Sequence, residues 1–355
     1  MASVDVVVPC YNYAHYLEKC IASITSQRDV DVRVLIVDDC SPDNTPEVAS
    51  RLAAADPRIT YVRNPVNLGL IGTANRGVMD WASADYVVLI SADDLLTPGA
   101  LARAAQLMDA HPEIAMTYGL ALMMSDEGAP LTPPDVRDAA TRIVPGKRFI
   151  QEVCAQGNFV PTPCAVMRTS VQHRIGGYDP RFKHTSDIDT WLRAATEGPI
   201  GVVNAIQGLY RWHASNMSAA FQRRPIGDRR EMIETCRAFL NRYGDKAPEA
   251  AAWVEAMERR YGEEAVLVAS KSFTSPGDDT WEDSLSFAVQ HFPDYRGAST
   301  WRTFQVKRAL GRKLSTMLQR LADGLRTLAA RPPGPAWYDH GERYGWWPEN
   351  LPAGG

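Results

Sequence analysis

The chain has 355 residues, 45% hydrophobic and 23% charged, a soluble globular composition that excludes a disordered, collagenous or coiled-coil protein. Lys and Arg number 38 against 42 Asp and Glu, and the net charge of -4 gives no overall drive toward nucleic acid. Six scattered cysteines, Cys10, Cys20, Cys40, Cys154, Cys164 and Cys236, form no C-x-x-C pair, which argues against a disulfide scaffold or a thiolate zinc site.

Residues 4–8, VDVVV, read as a buried strand ended by Pro9. The N-terminus shows no basic n-region or long apolar stretch before it, so the expectation is a cytoplasmic protein without a signal peptide. A helix is predicted over 14–27, a strand over 32–37, a helix over 45–55 and a strand over 59–62. A helix over 71–81, a strand over 85–90, a helix over 98–109 and a strand near 114–120 follow. Strands alternating with helices of this length mean βαβ crossovers and a mostly parallel sheet flanked by helices, an α/β fold. Ligands in such sheets bind beyond the carboxyl ends of the strands. Those ends carry Pro9 to Asn12, Asp38-Asp39, the segment around Asn67, and Ser91 to Asp94.

The middle of the chain is less regular, with a Pro-rich loop at Pro130, Pro133, Pro134 and Pro145. A helix is predicted over 186–197 and a strand over 200–206, and beyond Gly227 the pattern is helical. Residues 306–328 place Val306, Leu310, Leu314, Met317, Leu318, Leu321, Leu325 and Leu328 at helical spacing, with Lys307, Arg308, Arg312, Lys313, Arg320 and Arg326 opposite and one acid, Asp323. Such a basic amphipathic helix either docks on the domain with its basic face in water or lies on an anionic membrane surface. The tail carries Trp337, Tyr338, Tyr344, Trp346 and Trp347, which can fold back over the protein, cap a groove or meet a partner.

The carboxylates after the strands read in two ways each. Asp38-Asp39 can accept hydrogen bonds from a base or sugar, or cap the next helix. Asp93-Asp94 can hold a divalent cation that keeps phosphate and water in its shell, or cap a helix. Asp187 and Asp189 open a helix; His213, after an apolar strand, is either a metal or phosphate partner or a structural histidine. Asn67, Gly69, Asn75 and Gly77 mark a loop entering a helix whose start can meet a phosphate. The dinucleotide, P-loop, H-E-x-x-H and G-x-S-x-G patterns are all missing.

Taken in order, these segments resemble the family 2 glycosyltransferases of GT-A fold, as found in bacterial surface-polysaccharide synthesis. VVVPCYNYAHYLEKCIASITSQ is similar to the family's opening strand and P-x-[YF]-N segment, and IVDDCSPDNT at 36–45 to its V-D-D-x-S-x-D-x-T motif. NLGLIGTANRGV at 67–78 resembles N-x-G-x-x-x-A-x-N-x-G, and LISADDLLTPGAL at 89–101 resembles the D-x-D-D region. GGYDPRFKHTSDIDTWLRAATEG at 176–198 is similar to G-G-[FY]-D followed by E-D-x-D-x-W-x-R, and YRWHASNMS at 210–218 to the closing Y-R-x-H-x-x-N-x-S.

The resemblance implies a catalytic domain over 1–225, with a nucleotide-sugar-binding half at 1–120 and an acceptor half at 121–225, then a helical extension over 226–355. Pro9, Tyr11 and Asn12 would line the nucleotide pocket, with Asn67 and Asn75 on the same donor side. Asp39 would bind the base and Asp38 lie near base or ribose. Asp93, with Asp94 adjacent, would coordinate Mn2+ or Mg2+ on the diphosphate, and His213 would approach the metal or the diphosphate. Asp187 would be the general base, with Trp191 and Arg193 supporting the acceptor side or, for Trp191, packing in the core. The implied activity is inverting transfer from a nucleotide-diphosphate sugar to a saccharide or lipid-linked acceptor. Peripheral contact at the inner membrane face and a homo-oligomer are further expectations. The sequence departs from the family at Ser91, Ser186 and Ala74, where an acid, a Glu and an Arg are usual. Ser91 leaves room for a noncatalytic nucleotide-sugar or glycan-binding protein of the same fold. A nucleotidyltransferase would need a Gly-rich basic loop that PCYNYAHY does not provide.

Overall fold

The computed structural model describes residues 1–125, 139–213, 216, 225–275, 277–329 and 343–348. The loop prolines Pro130, Pro133 and Pro134, most of the closing motif after His213, Trp337 and Tyr338 lie outside the described residues. So do the side chains of 322–329, although their backbone is helical.

The first half follows the alternation written in the sequence: β1 (Ser3–Cys10), α1 (Ala14–Thr25), β2 (Asp31–Asp38), α2 (Thr45–Ala55), β3 (Ile59–Arg63), α3 (Gly69–Val78) and β4 (Tyr86–Leu89). The four strands pair in parallel in the order β3-β2-β1-β4. Val6, Val8, Val34 and Ile36 pack on one face of this sheet, while Val7, Leu35 and Val37 pack on the other. Both faces are therefore covered, which is why these strands are continuous apolar runs. Register matters for the site: Cys10 lies beside Asp38 and Val7 beside Leu89. The loops after β1, β2 and β4 thus open along one edge.

Beyond β4 the sheet becomes mixed. The order of elements is β5 (Leu95–Leu96), α4 (Ala100–Ala110), β6 (Met116–Ser125), β7 (Thr141–Val144), α5 (Gly146–Gln156), β8 (Val166–Arg168), α6 (Thr169–Ile175), α7 (Ser186–Ala194) and β9 (Ile200–Trp212). β8 joins antiparallel to both β4 and β6, and β9 runs parallel to β6 over its length. The sequence suggested a strand over 200–206; pairing with β6 carries it to Trp212. Leu95 of β5 pairs with Leu209, which brings the end of β9 beside Asp93-Asp94.

The C-terminal part is helical: α8 (Pro225–Tyr243), α9 (Ala250–Thr274), α10 (Trp281–His291), α11 (Ser299–Leu310) and α12 (Arg312–Ala329). Phe239, Val254, Met257, Val266 and Phe287 join the same core cluster as Val7 and Tyr118. The single helix expected over 306–328 is two helices. Gly311 has φ +77°, a left-handed conformation that terminates α11 and that a side chain would disfavour. The described piece of the tail, β10 (Arg343–Tyr344), folds back and adds antiparallel to β6. Tyr118 donates from its hydroxyl to the Trp346 carbonyl at 3.0 Å, and Trp346 meets Phe159 edge-on.

Candidate active site

A cleft of about 1150 Å³ opens along the carboxyl edge of the sheet. Pro9, Tyr11, Asp39, Asn67, Asp93, Asp94 and Asp187 all line it. Asn12, Asp38, Asn75 and His213 are absent from its wall.

Two neighbouring acids after β2 have divided roles. Asp38 is fully buried; its Oδ1 accepts the Ser41 amide at 2.8 Å, and its Oδ2 accepts the Tyr61 hydroxyl at 3.1 Å. Arg63 pairs with it at 3.5 Å. Asp38 therefore ties the turn to β3 and does not line the cleft. Asp39 points the other way, into the cleft. Its Oδ1 accepts from Asn64 Nδ2 at 2.8 Å and from the Leu68 amide at 2.7 Å, leaving Oδ2 for a ligand. Asn12 takes φ +61° and receives support at its amide from Ser41 Oγ at 3.2 Å, so it shapes the turn that presents Tyr11.

Asn75 is a clamp between distant segments. Its Nδ2 donates to the Tyr178 carbonyl at 2.8 Å and its Oδ1 accepts the Tyr178 amide at 2.7 Å. Gly177 permits this approach, since a Cβ there would lie 2.5 Å from Asn75 Oδ1. Asn75 thus positions cleft-lining Tyr178 instead of touching the cleft itself.

Asp93 and Asp94 are both buried at the cleft floor. Asp94 Oδ1 accepts the Arg211 amide at 2.9 Å. Burial, and then the charge of Asp93, push the Asp94 carboxyl well above the usual range. Asp93 Oδ2 meets His213 Nε2 at 3.0 Å, while its Oδ1 is buried with no hydrogen-bond partner. An orphaned carboxylate oxygen beside a second acid fits a hard divalent cation. Yet among the described residues no group of three His, Cys, Asp or Glu is spaced to hold a metal alone. The expected ligand set of Asp93, Asp94 and His213 is not assembled as a cage. His213 sits behind Asp93, against the rings of Tyr13 and Tyr16 at 5.6 and 5.7 Å, and the three rings contact one another.

Asp187 stands in the first turn of α7, where backbone amides are unpaired and favour an anion. Its Oδ1 accepts the Ile188 amide at 2.7 Å; its Oδ2 accepts from Asn158 Nδ2 at 2.9 Å and Thr162 Oγ1 at 3.2 Å. Burial outweighs these bonds and raises its pKa, which is the direction that makes a carboxylate a stronger base. Neither Trp191 nor Arg193 reaches the cleft. Trp191 is buried in the core, and Arg193 pairs with Asp189 at 2.9 Å and donates to the carbonyls of Ile175, Gly176 and Gly177.

A model of the family Glycosyl transferase family 2 matches residues 5–176. The putative glycosyltransferase EpsE of Bacillus subtilis is 30% identical over 226 residues, 62% of this chain and 76% of EpsE. The chain belongs to the family 2 glycosyltransferases. Chondroitin synthase of Pasteurella multocida is 24% identical over 220 residues, 61% of this chain but 21% of the synthase, so the chain spans about a fifth of that relative's length. Among solved structures, S. aureus TarS 1–349 in complex with UDP-GlcNAc is 17% identical with a TM-score of 0.53, over 85% of this chain and 91% of that one. The mannosyltransferase PcManGT from Pyrobaculum calidifontis, in complex with GDP-Man and Mn2+, is 18% identical with a TM-score of 0.52, over 90% and 87%. These likenesses show the fold, GT-A.

Several residues of the cleft were not assigned to it from the sequence. Asn158 and Thr162 reach Asp187 from a loop 25 to 29 residues upstream. Tyr344 arrives from the tail, its hydroxyl donating to the Asn158 carbonyl at 3.1 Å. Burial, and then the charge of Asp187, raise the Tyr344 phenol far above its ordinary value, so it stays a neutral donor. Arg229, Arg260, Tyr261 and Glu264 of α8 and α9 complete the far wall. Of these, only Tyr344 stood out beforehand, as part of the aromatic tail that could fold back, cap a groove or meet a partner.

Proposed function

We propose that the protein is an inverting, metal-assisted transferase that moves a sugar from a nucleoside diphosphate to a hydroxyl of a saccharide or lipid-linked acceptor, with Asp187 as base. The observation carrying this reading is Asp187 itself: a carboxylate of raised pKa, held by three donors, in the same cleft as Asp39 and the Asp93-Asp94 pair. Asp39 keeps one oxygen for the base, and Pro9 and Tyr11 form the wall beside it. Asp93 would hold a divalent cation through Oδ1, with His213 orienting the carboxylate through Oδ2. When bound, such a cation offsets the charge growing on the leaving diphosphate. UDP-GlcNAc in TarS and GDP-Man with Mn2+ in PcManGT support a sugar nucleotide and a divalent ion as ligands.

Asp187 takes the proton of the acceptor hydroxyl as that oxygen bonds to the anomeric carbon. The bond from this carbon to the diphosphate oxygen breaks, and the nucleoside diphosphate leaves. One displacement by a single base inverts the centre. Asn158 and Thr162 orient the carboxylate, and Tyr344 bonds the Asn158 carbonyl beside it. A panel of UDP-, GDP- and dTDP-sugars, each with and without Mn2+, tests the donor reading by thermal stabilisation. A sugar nucleotide should raise Tm more with Mn2+ than without; a flat panel would overturn the reading.

A further inference from the structure

An amphipathic helix docked on a globular protein normally turns its apolar face inward. Over its described side chains, 312–321, α12 does the reverse. Its buried contact is Ser315, 3% exposed, whose hydroxyl donates to the Lys307 carbonyl at 2.7 Å. Thr316 donates to the Thr274 carbonyl at 3.1 Å, and Arg312 pairs with Asp279 at 2.6 Å. The helix is fastened by its polar side. Leu314, Met317, Leu318 and Leu321, spaced i, i+3, i+4 and i+7, are left 41 to 59% exposed as one stripe. Val306 and Leu310 of the preceding α11 are also exposed, at 59 and 42%. Single exposed leucines are ordinary, but a continuous apolar stripe marks an interaction surface.

The charge around the stripe names the partner. Residues 299–321 contain no acid; Arg312 is paired with Asp279 and Lys307 donates to the Ser270 carbonyl, while Arg302, Arg308, Lys313 and Arg320 are exposed, in a chain whose net charge is -4. Lys313 and Arg320 are exposed on the same helix as the stripe. A second copy docking stripe to stripe would bring these like charges together. An anionic bilayer instead offers phosphates for the cations and acyl chains for the leucines. We propose that α11 and α12 form a peripheral membrane-binding face that lies in the interface of an anionic lipid bilayer. The face is defined without reference to Asp187 and is independent of the transferase reading.

The test is cosedimentation of the full chain with phosphatidylcholine vesicles, and with vesicles containing 30 mol% phosphatidylglycerol, in 0.1 M salt. Wild type should pellet with the anionic vesicles and stay largely soluble with the neutral ones. Replacing Lys313 and Arg320 by Gln should weaken binding about fivefold per charge, roughly 25-fold together. Replacing Leu314, Met317 and Leu318 by Ser should weaken it at least about tenfold. Since all five side chains face water, Tm should be retained in both variants. A wild type that stays soluble with anionic vesicles, or variants that pellet as it does, would overturn the proposal. So would a concentration-dependent dimer, seen by light scattering, that the serine variant abolishes while vesicles bind nothing; the occupant would then be a second copy.

Discussion

Replacing Asp187 by Asn separates the chemical role of this carboxylate from its structural one. In the native site three donors, the Ile188 amide, Asn158 Nδ2 and Thr162 Oγ1, converge on two carboxylate oxygens. Asn keeps one acceptor oxygen and turns its NH2 toward a donor, so one hydrogen bond is lost, at about 1 to 3 kcal/mol. Against this, the native carboxylate is disfavoured as an ion by its burial, as its raised pKa records. A neutral amide escapes that cost, so the two effects oppose and the stability change should be small. The rate change should be large. General-base catalysis contributes on the order of 10² to 10⁴, about 3 to 5 kcal/mol of barrier. The assay is release of nucleoside diphosphate from the stabilising sugar nucleotide in the presence of acceptor, with donor affinity measured alongside. Turnover should fall by at least about 100-fold with donor affinity within roughly twofold. The pH profile adds a signature. A base works only when deprotonated, so wild-type kcat/KM should rise with pH through a pKa above the ordinary carboxylate range and then level off. That limb should vanish in the variant. Turnover within a few-fold of wild type, or an unchanged acidic limb, would refute Asp187 as base.

Asp93→Ala removes the orphaned oxygen and should abolish the extra thermal stabilisation by donor plus Mn2+; an unchanged Mn2+ titration would reject Asp93 as a ligand. Asn75→Ala breaks both hydrogen bonds to Tyr178 and should cost about 1 to 3 kcal/mol in urea unfolding, while kcat/KM falls through displacement of that wall. Tyr344→Ala removes a ring and a hydroxyl from the acceptor side, so KM for the acceptor should rise while donor affinity stays the same. A change confined to the donor would remove Tyr344 from the acceptor wall.

The sequence by itself determined the first half of the fold. β1 to α3 follow from short β-branched runs, periodic helices and turn residues, all local signals, and α2 begins and ends where the pattern put it. Six ordered motifs identified the family and placed Asp39, Asp93 and Asp187 at strand ends or a helix start, which is enough to bring them to one edge of a parallel sheet. Local pattern could not decide where a side chain points once strands pair. Asp38 and Asp39 are alike in sequence, but alternation along an extended chain sends one beneath β3 and the other into the cleft. His213 stands 120 residues from Asp93, Asn75 is 103 from Tyr178, and Tyr344 is 186 from Asn158. No periodicity spans such distances, and only packing brings these groups together. The same holds for residues 306–328. Their amphipathic spacing was plain, but Gly311 divides the helix and the contacts of Ser315 and Thr316 choose its orientation. Periodicity reports that a helix has two faces; which face meets the protein depends on the surface waiting for it.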